Sequence, residues 1–452
     1  MFLYEIFQYF QWMKFVQFIF ILFSIFVNAQ NSFEIKDAKK VVIPFKLINN
    51  LIFIPINVNG AELTFLLDTG VAETTIFSLE NKDLTLAPLE KMRFSGLGGN
   101  ASIEGFKSDH NIGKIGEHFT NNSFTLFIIL DPDFNISSHV GIPVNGIIGY
   151  HFFKNHPVAI DYGSKKITVY NDDDLLRKRI KKYDELPITL EKNKPYVFAD
   201  VEMTNEKKSS KLLVDLGNSD AIWLFPALIK DFVYNRPNIE DYLGRGFNGE
   251  IYGKRSRIHN FYLGKFKFSK PLTAMPDEFS IQHVNLVSER KGSLGGDILR
   301  RFTAVFDYRN QKLYLRKNRN FDDPFHFNMS GLDFQQDGMQ WEKDLVTLES
   351  KFNDKSTRGV ELVNSSLQYK FVLKPFFSIA GVRKNSPGDK AGLKKGDELI
   401  TINGRKTADM TLQRIMEMMK SDEGKTINMV ILRKKQELRC SFRLEDPIPY
   451  QE

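Results

Sequence analysis

The sequence predicts a mainly β chain in which two related lobes are followed by a smaller α+β module. Three observations carry that prediction. The middle of the chain repeats itself at a fixed offset. The repeated parts read as short strands between Gly, Asn and Pro turns with little helical period. Near Phe376 the pattern changes, and turn, helix and strand signals alternate.

With 452 residues, 42% hydrophobic and 26% charged, the chain is globular and long enough for two or three domains. Lys plus Arg number 62 against 55 Asp plus Glu, spread along the chain without a basic tract, so nucleic acid is not the expected partner. A single cysteine, Cys440, excludes an intramolecular disulfide framework and a thiolate metal cluster. The chemistry therefore uses oxygen or nitrogen groups.

The first element is a targeting segment. Met13-Lys14 precedes an apolar run from Phe15 to Phe23, then Ser24-Ile25-Phe26-Val27 and the small-residue stretch Asn28-Ala29-Gln30, which together give a charge, an apolar core and a cleavage site. The run is shorter than the roughly 20 residues that a membrane helix requires. Residues 1–29 are read as a signal peptide with its true start at Met13, giving a secreted or periplasmic protein without a stable membrane span. An uncleaved anchor is the alternative.

The repeat comes next. "LTFLLDTG" ending at Gly70 is echoed by "KLLVDLGN" at Asp215, and "NGIIGYHFFKNHPVAIDYG" from Asn145 is echoed by "GSLGGDILRRFTAVFDYR" from Gly292. Asp68 to Asp215 and Gly149 to Gly296 are both offset by 147 residues, and Asp161 to Asp307 by 146. Residues 30–170 form lobe 1, 171–186 a charged connector and 187–320 lobe 2. In each lobe an apolar strand runs into an Asp at a turn, where glycine permits the tight backbone. If the lobes pack about a pseudo-twofold axis, the two carboxylates meet, and at roughly 3 Å they cannot both stay ionised. One proton is then shared, giving an acid and a base in one dyad.

At these residues the chain resembles the aspartic proteases of the pepsin and retropepsin superfamily. "LLDTGVAETTIF", "LLVDLGNSDAIWLF" and the apolar-apolar-Gly stretches at Gly149 and Gly296 carry the resemblance over roughly Phe45 to Lys317. It implies two retropepsin-like β lobes in a pepsin-like acid protease fold, with Asp68 and Asp215 as the catalytic pair. Thr69, Gly70 and Gly217 would support the dyad, Thr69 through a hydroxyl that bonds across to the opposite lobe. Leu216 departs from the pattern, since the family has Thr or Ser there. The Gly-rich segment with Gly96, Gly98 and Gly99 is the flap candidate, a hairpin that closes over a peptide. Gly244, Gly246 and Gly249 match GxGxxG, but no hydrophobic strand leads into them and no helix follows. HExxH, GxSxG and Walker loops are absent, and no metal or other cofactor is expected.

From Phe376, "FFSIAGVRKNSPGDKAGLKKGDELITINGRK" resembles a PDZ domain, assigned to residues 371–446. Residues 321–370 read as a linker or as early strands of that module. Such domains bind an extended peptide as an added strand. Phe376, Phe377, Ile379 and Leu412 are the groove candidates, and Pro375 removes one backbone donor from the loop that would hold a terminal carboxylate. From residue 371 onward 16 basic residues stand against 11 acidic, mildly favouring an acidic peptide. The expected function is an exported, monomeric aspartic endopeptidase acting on polypeptide, with a PDZ module for peptide or substrate recognition. The alternative is an inactive two-lobed scaffold that recruits partners through that module.

Overall fold

In a computed structural model, the described residues are 31–450 except 81, 87, 95–102, 130–134, 204–205, 230–231, 233, 247–248, 282–285 and 353–361. The signal-peptide segment and the flap candidates Gly96, Gly98 and Gly99 lie outside the described residues. No described helix is long and apolar enough to cross a membrane.

Lobe 1 contains Lys40–Pro44 (β1), Lys46–Ile48 (β2), Leu51–Val58 (β3), Ala61–Leu67 (β4), Thr75–Ile76 (β5), Leu89–Phe94 (β6), Ile103–Ile115 (β7), the helical turn Ser137–Val140 (α1), Gly146–Ile148 (β8), Val158–Asp161 (β9) and Lys166–Tyr170 (β10). Left-handed residue pairs make its tight hairpins: Asn49-Asn50 between β2 and β3, and Asn59-Gly60 between β3 and β4. Asn and Gly tolerate those angles, which match the twist of paired strands. β8 inserts parallel to β4 and antiparallel to β5.

The connector holds Asp173–Ile180 (α2), capped by Asp172 and buried at Leu176, and Asp184–Pro187 (β11). Because β11 pairs with a lobe 2 strand, the connector ends as part of a sheet. Lobe 2 repeats the plan with Thr189–Glu191 (β12), Lys194–Glu202 (β13), Lys207–Val214 (β14), Ile222–Leu224 (β15), Ile239–Gly246 (β16), Gly249–Arg257 (β17), Arg290–Leu294 (β18), Phe302–Asp307 (β19) and Lys312–Lys317 (β20). β18 inserts parallel to β14 and antiparallel to β15, as β8 does in lobe 1. The lobes share a six-stranded sheet ordered β11-β20-β19-β9-β10-β1, and one apolar core through both contains Leu67, Ile148, Val214, Leu216 and Leu294. The expectation of a mainly β, two-lobed fold followed by a PDZ domain is met.

The third unit has its own core. It comprises Leu332–Phe352 (β21), Leu362–Val382 (β22), Pro387–Lys390 (α3), Glu398–Ile402 (β23), Leu412–Met419 (α4), Thr426–Arg433 (β24) and Gln436–Arg443 (β25), with sheet order β21-β22-β23-β24-β25. The sequence boundary at residue 371 falls inside β22, whose partner is β21, so the unit starts well before that point. The chain end fastens it to lobe 2. Arg257 pairs with Asp446 at 3.2 Å, Tyr450 Oη lies 2.6 Å from His259 Nδ1, and the Arg236 guanidinium stacks 4.3 Å from the Tyr450 ring.

Candidate active site

The strand preceding each Asp places its carboxylate at the seam between lobes. Asp68 N–H donates to Ile148 O (2.8 Å) and Asp215 N–H donates to Leu294 O (2.9 Å), so the inserted strands β8 and β18 hold the two backbones in equivalent ways. Ile148 therefore matches Leu294, and the counterpart of Gly149 is Gly295. This corrects the offset that paired Gly149 with Gly296. Two adjacent glycines made either alignment possible.

Beyond each Asp the chain turns back on its own carboxylate. Gly70 N–H donates to Asp68 Oδ1 (2.6 Å) and Gly217 N–H to Asp215 Oδ1 (3.2 Å). A Cβ on Gly70 would lie 2.9 Å from an oxygen of each carboxylate, and one on Gly217 would lie 2.2 Å from Asp68 Cγ. Only glycine leaves room there for two carboxyl groups to meet. Thr69 Oγ1 donates to Val214 O across the seam (2.6 Å) and accepts from Leu216 N–H (3.0 Å). Leu216 offers no reciprocal hydroxyl. Its side chain is buried in the common core, so apolar contact takes the place of half of that bridge.

The carboxyl groups of Asp68 and Asp215 hydrogen-bond to each other. Burial first, and the Asp215 charge second, raise Asp68 to about 8. Burial also raises Asp215, but Arg290, the hydrogen bond from Asp68 and Lys194 oppose the rise. Asp68 is therefore the better holder of the proton that the pair shares, and Asp215 the better base. Sequence reasoning missed Lys194 and Arg290. Extending the repeat upstream of the Asp-x-Gly turns would have found the first, because "NNLIF" in lobe 1 corresponds to "KNKPY" in lobe 2.

In the third unit the groove candidates fare differently. Phe377, Ile379 and Leu412 are buried in its core, leaving no side-chain surface for a ligand, and Phe376 is half-buried. In Leu412 that burial is shared with lobe 1, because Gly141 packs against it. The edge strand β21 is met by lobe 1. α1 packs against it, and Gly141 sits between Leu412 of α4 and Gln336 of β21.

Comparison with known proteins agrees with this division. Residues 54–152 match the family model described as aspartyl protease, and residues 378–433 the one described as PDZ domain. The carboxy-terminal processing protease CtpB of Bacillus subtilis (strain 168) is 37% identical over 62 residues, which is 14% of this chain and 13% of that relative's length. The solved aspartic proteinase from Irpex lacteus aligns with 63% of this chain and 99% of its own, at 13% identity and a TM-score of 0.40. The chain carries an aspartyl protease domain followed by a C-terminal PDZ domain.

Proposed function

We propose that the protein is an exported aspartic endopeptidase in which Asp68 and Asp215 activate a water between them. The observation that supports it best is the hydrogen-bonded carboxyl pair, with Gly70 and Gly217 closing on it. Ionised Asp215 takes a proton from the water, while protonated Asp68 gives its proton to the carbonyl oxygen of the scissile peptide bond. The hydroxide adds to the carbonyl carbon. Collapse of the resulting gem-diol breaks the C–N bond, with a proton passing from Asp215 to the leaving amine, and the second hydroxyl proton returning to Asp68. Positioned acid and base groups of this kind contribute about 10²–10⁴-fold each.

The PDZ domain serves peptide or substrate recognition beside the lobes, strand addition being the mode such domains use. Export to a secreted or periplasmic location is supported by the charge, apolar run and small residues at positions 13–30. Leu216 is the observation that favours a catalytically silent scaffold. Incubating purified protein with a mixed peptide library from acidic to neutral pH, and reading new termini by mass spectrometry, decides between them. The peptidase yields new termini that vanish in Asp68→Asn and Asp215→Asn. A scaffold yields none at any pH.

A further inference from the structure

The two lobes are alike in backbone but opposite in what they place beside the dyad. Lys192 and Asn193, at φ of 49° and 62°, form the same left-handed hairpin as Asn49 and Asn50, at 49° and 65°. The hairpins close with Glu191 opposite Lys194 in lobe 2 and Ile48 opposite Leu51 in lobe 1. Lys194 thus stands where lobe 1 has Leu51. Two residues further on, Tyr196 faces Leu213 and Phe53 faces Leu66, each Leu two residues before its Asp. Side chains two apart on a strand share a face, so both sets lie on the side of the sheet that carries the carboxylates. On the inserted strands, counting back from Leu294 and Ile148, Arg290 corresponds to Val144.

Lobe 1 fills this face with an apolar cluster that includes Phe53, Leu66, Phe77 and Val144. Lobe 2 keeps only Tyr196, Leu213 and Val287 as its apolar cluster. Arg290 is buried, held by Nε donating to Gly292 O (3.1 Å) and Nη2 to Ser293 Oγ (2.9 Å), and it lies 5.2 Å from the Phe225 ring. Neither Lys194 nor Arg290 forms an ion pair with a carboxylate among the described residues. Glu191, the nearest acid in sequence, pairs with Lys211 at 2.5 Å. Burial lowers Lys194, the charges of both dyad carboxylates oppose that, and Arg290 and Lys192 add to it, so these groups share one neighbourhood. Beside the dyad, which holding one proton carries one negative charge, Lys194 and Arg290 both bring positive charge, and Lys192 lies near them. One cation is left over, and withdrawing a cation from water without a partner is costly.

Resting on the peptidase reading above, we propose that Lys194 and Arg290 form a subsite in lobe 2 for an acidic side chain, an Asp or Glu of the substrate held beside the dyad. The carboxylate of the substrate supplies the missing charge.

The test separates this subsite from catalysis. Four fluorescein-labelled octapeptides, alike except for Leu-Glu, Leu-Gln, Glu-Leu or Gln-Leu at the centre, are titrated against full-length Asp68→Asn by fluorescence anisotropy and incubated with the wild type. One Glu peptide is expected to bind about tenfold more tightly than its Gln counterpart, the strength of a charge-assisted hydrogen bond. Adding Lys194→Met should remove most of that advantage, and wild-type cleavage should follow the same order. Equal affinities, binding by none of the four, or a Glu preference untouched by Lys194→Met overturns the subsite. A Glu preference in binding without any wild-type cleavage keeps the subsite and overturns the peptidase reading, while cleavage indifferent to Glu does the reverse.

Discussion

Replacing Asp68 by Asn should abolish peptide hydrolysis and at the same time stabilise the protein above acidic pH. In the folded chain Asp68 keeps its proton up to about 8, because burial and the neighbouring Asp215 charge both oppose ionisation. In the unfolded chain it releases that proton at the ordinary carboxylate value near 3.8. Between those values the folded state binds more protons, so the wild type loses stability as pH rises. At 1.36 kcal/mol per unit, the loss attributable to this group between about pH 5 and pH 8 is on the order of 4 kcal/mol. Asn imitates the protonated acid at every pH. Its Oδ1 can still accept from Gly70 N–H, and its amide NH2 can donate to Asp215. Thermal unfolding of both proteins across that range reads the effect of the dyad, since every titrating group outside the pair is common to the two. The advantage of Asp68→Asn should widen with pH and level off above about 8. A constant gap, or one that narrows as pH rises, would refute the assignment of the shared proton to Asp68.

The same proton sets the rate profile: kcat/KM should persist through neutral pH and fall with an alkaline limb near the value of about 8 given by Asp68. Arg290→Gln removes a charge that holds Asp215 down, so it should move the acid limb of that profile upward. Leu216→Thr restores a hydroxyl at the seam but gives up buried apolar surface, so stability should change by no more than about 1 kcal/mol in either direction while peptidase activity is kept or raised. Removing residues 446–452 deletes the Arg257–Asp446 pair and the Tyr450 contacts with His259 and Arg236. Amide hydrogen exchange should then accelerate on β17 while the PDZ core strands keep their protection.

The dyad was legible because its signal is local. An apolar strand, an Asp and a Gly within three positions specify both the carboxylate and the turn that exposes it, and a second copy at matching distance says that the two meet. What lay further apart was harder to read. The paired glycines at 295 and 296 hid the true register, which only the hydrogen bond from Asp215 to Leu294 fixes. Lys194 looked like one more surface lysine, because its place beside the carboxylates depends on how β13 pairs with β14. Helical spacing in α4 could not show that Leu412 is covered by Gly141 of lobe 1, a contact between residues far apart in sequence. Residues 321–370 stayed open between linker and early PDZ strands because the stretch is polar, and β21 within it is set by its pairing with β22.

The PDZ domain is joined to the lobes at more than its chain end, and those joints lead toward the dyad. Arg255 on β17 binds Asp220 and Asp241 at 2.6 Å each, and Asp220 lies on the turn that follows Asp215. Lys420, just past α4, is half-buried near the charges of Asp297, Asp220, Arg255 and Arg300, which ties the PDZ domain to the same corner of lobe 2. On lobe 1, Asn49 Nδ2 lies 3.3 Å from Met416 Sδ of α4, and Gly141 meets Leu412. Gly141 closes α1, and the chain runs from there through Val144 into β8, whose Ile148 carbonyl fixes the backbone of Asp68. The β21 edge at Gln336 is thus met by the same segment that leads into β8. One stretch of lobe 1, residues 137–148, therefore both meets the β21 edge and holds the backbone of Asp68.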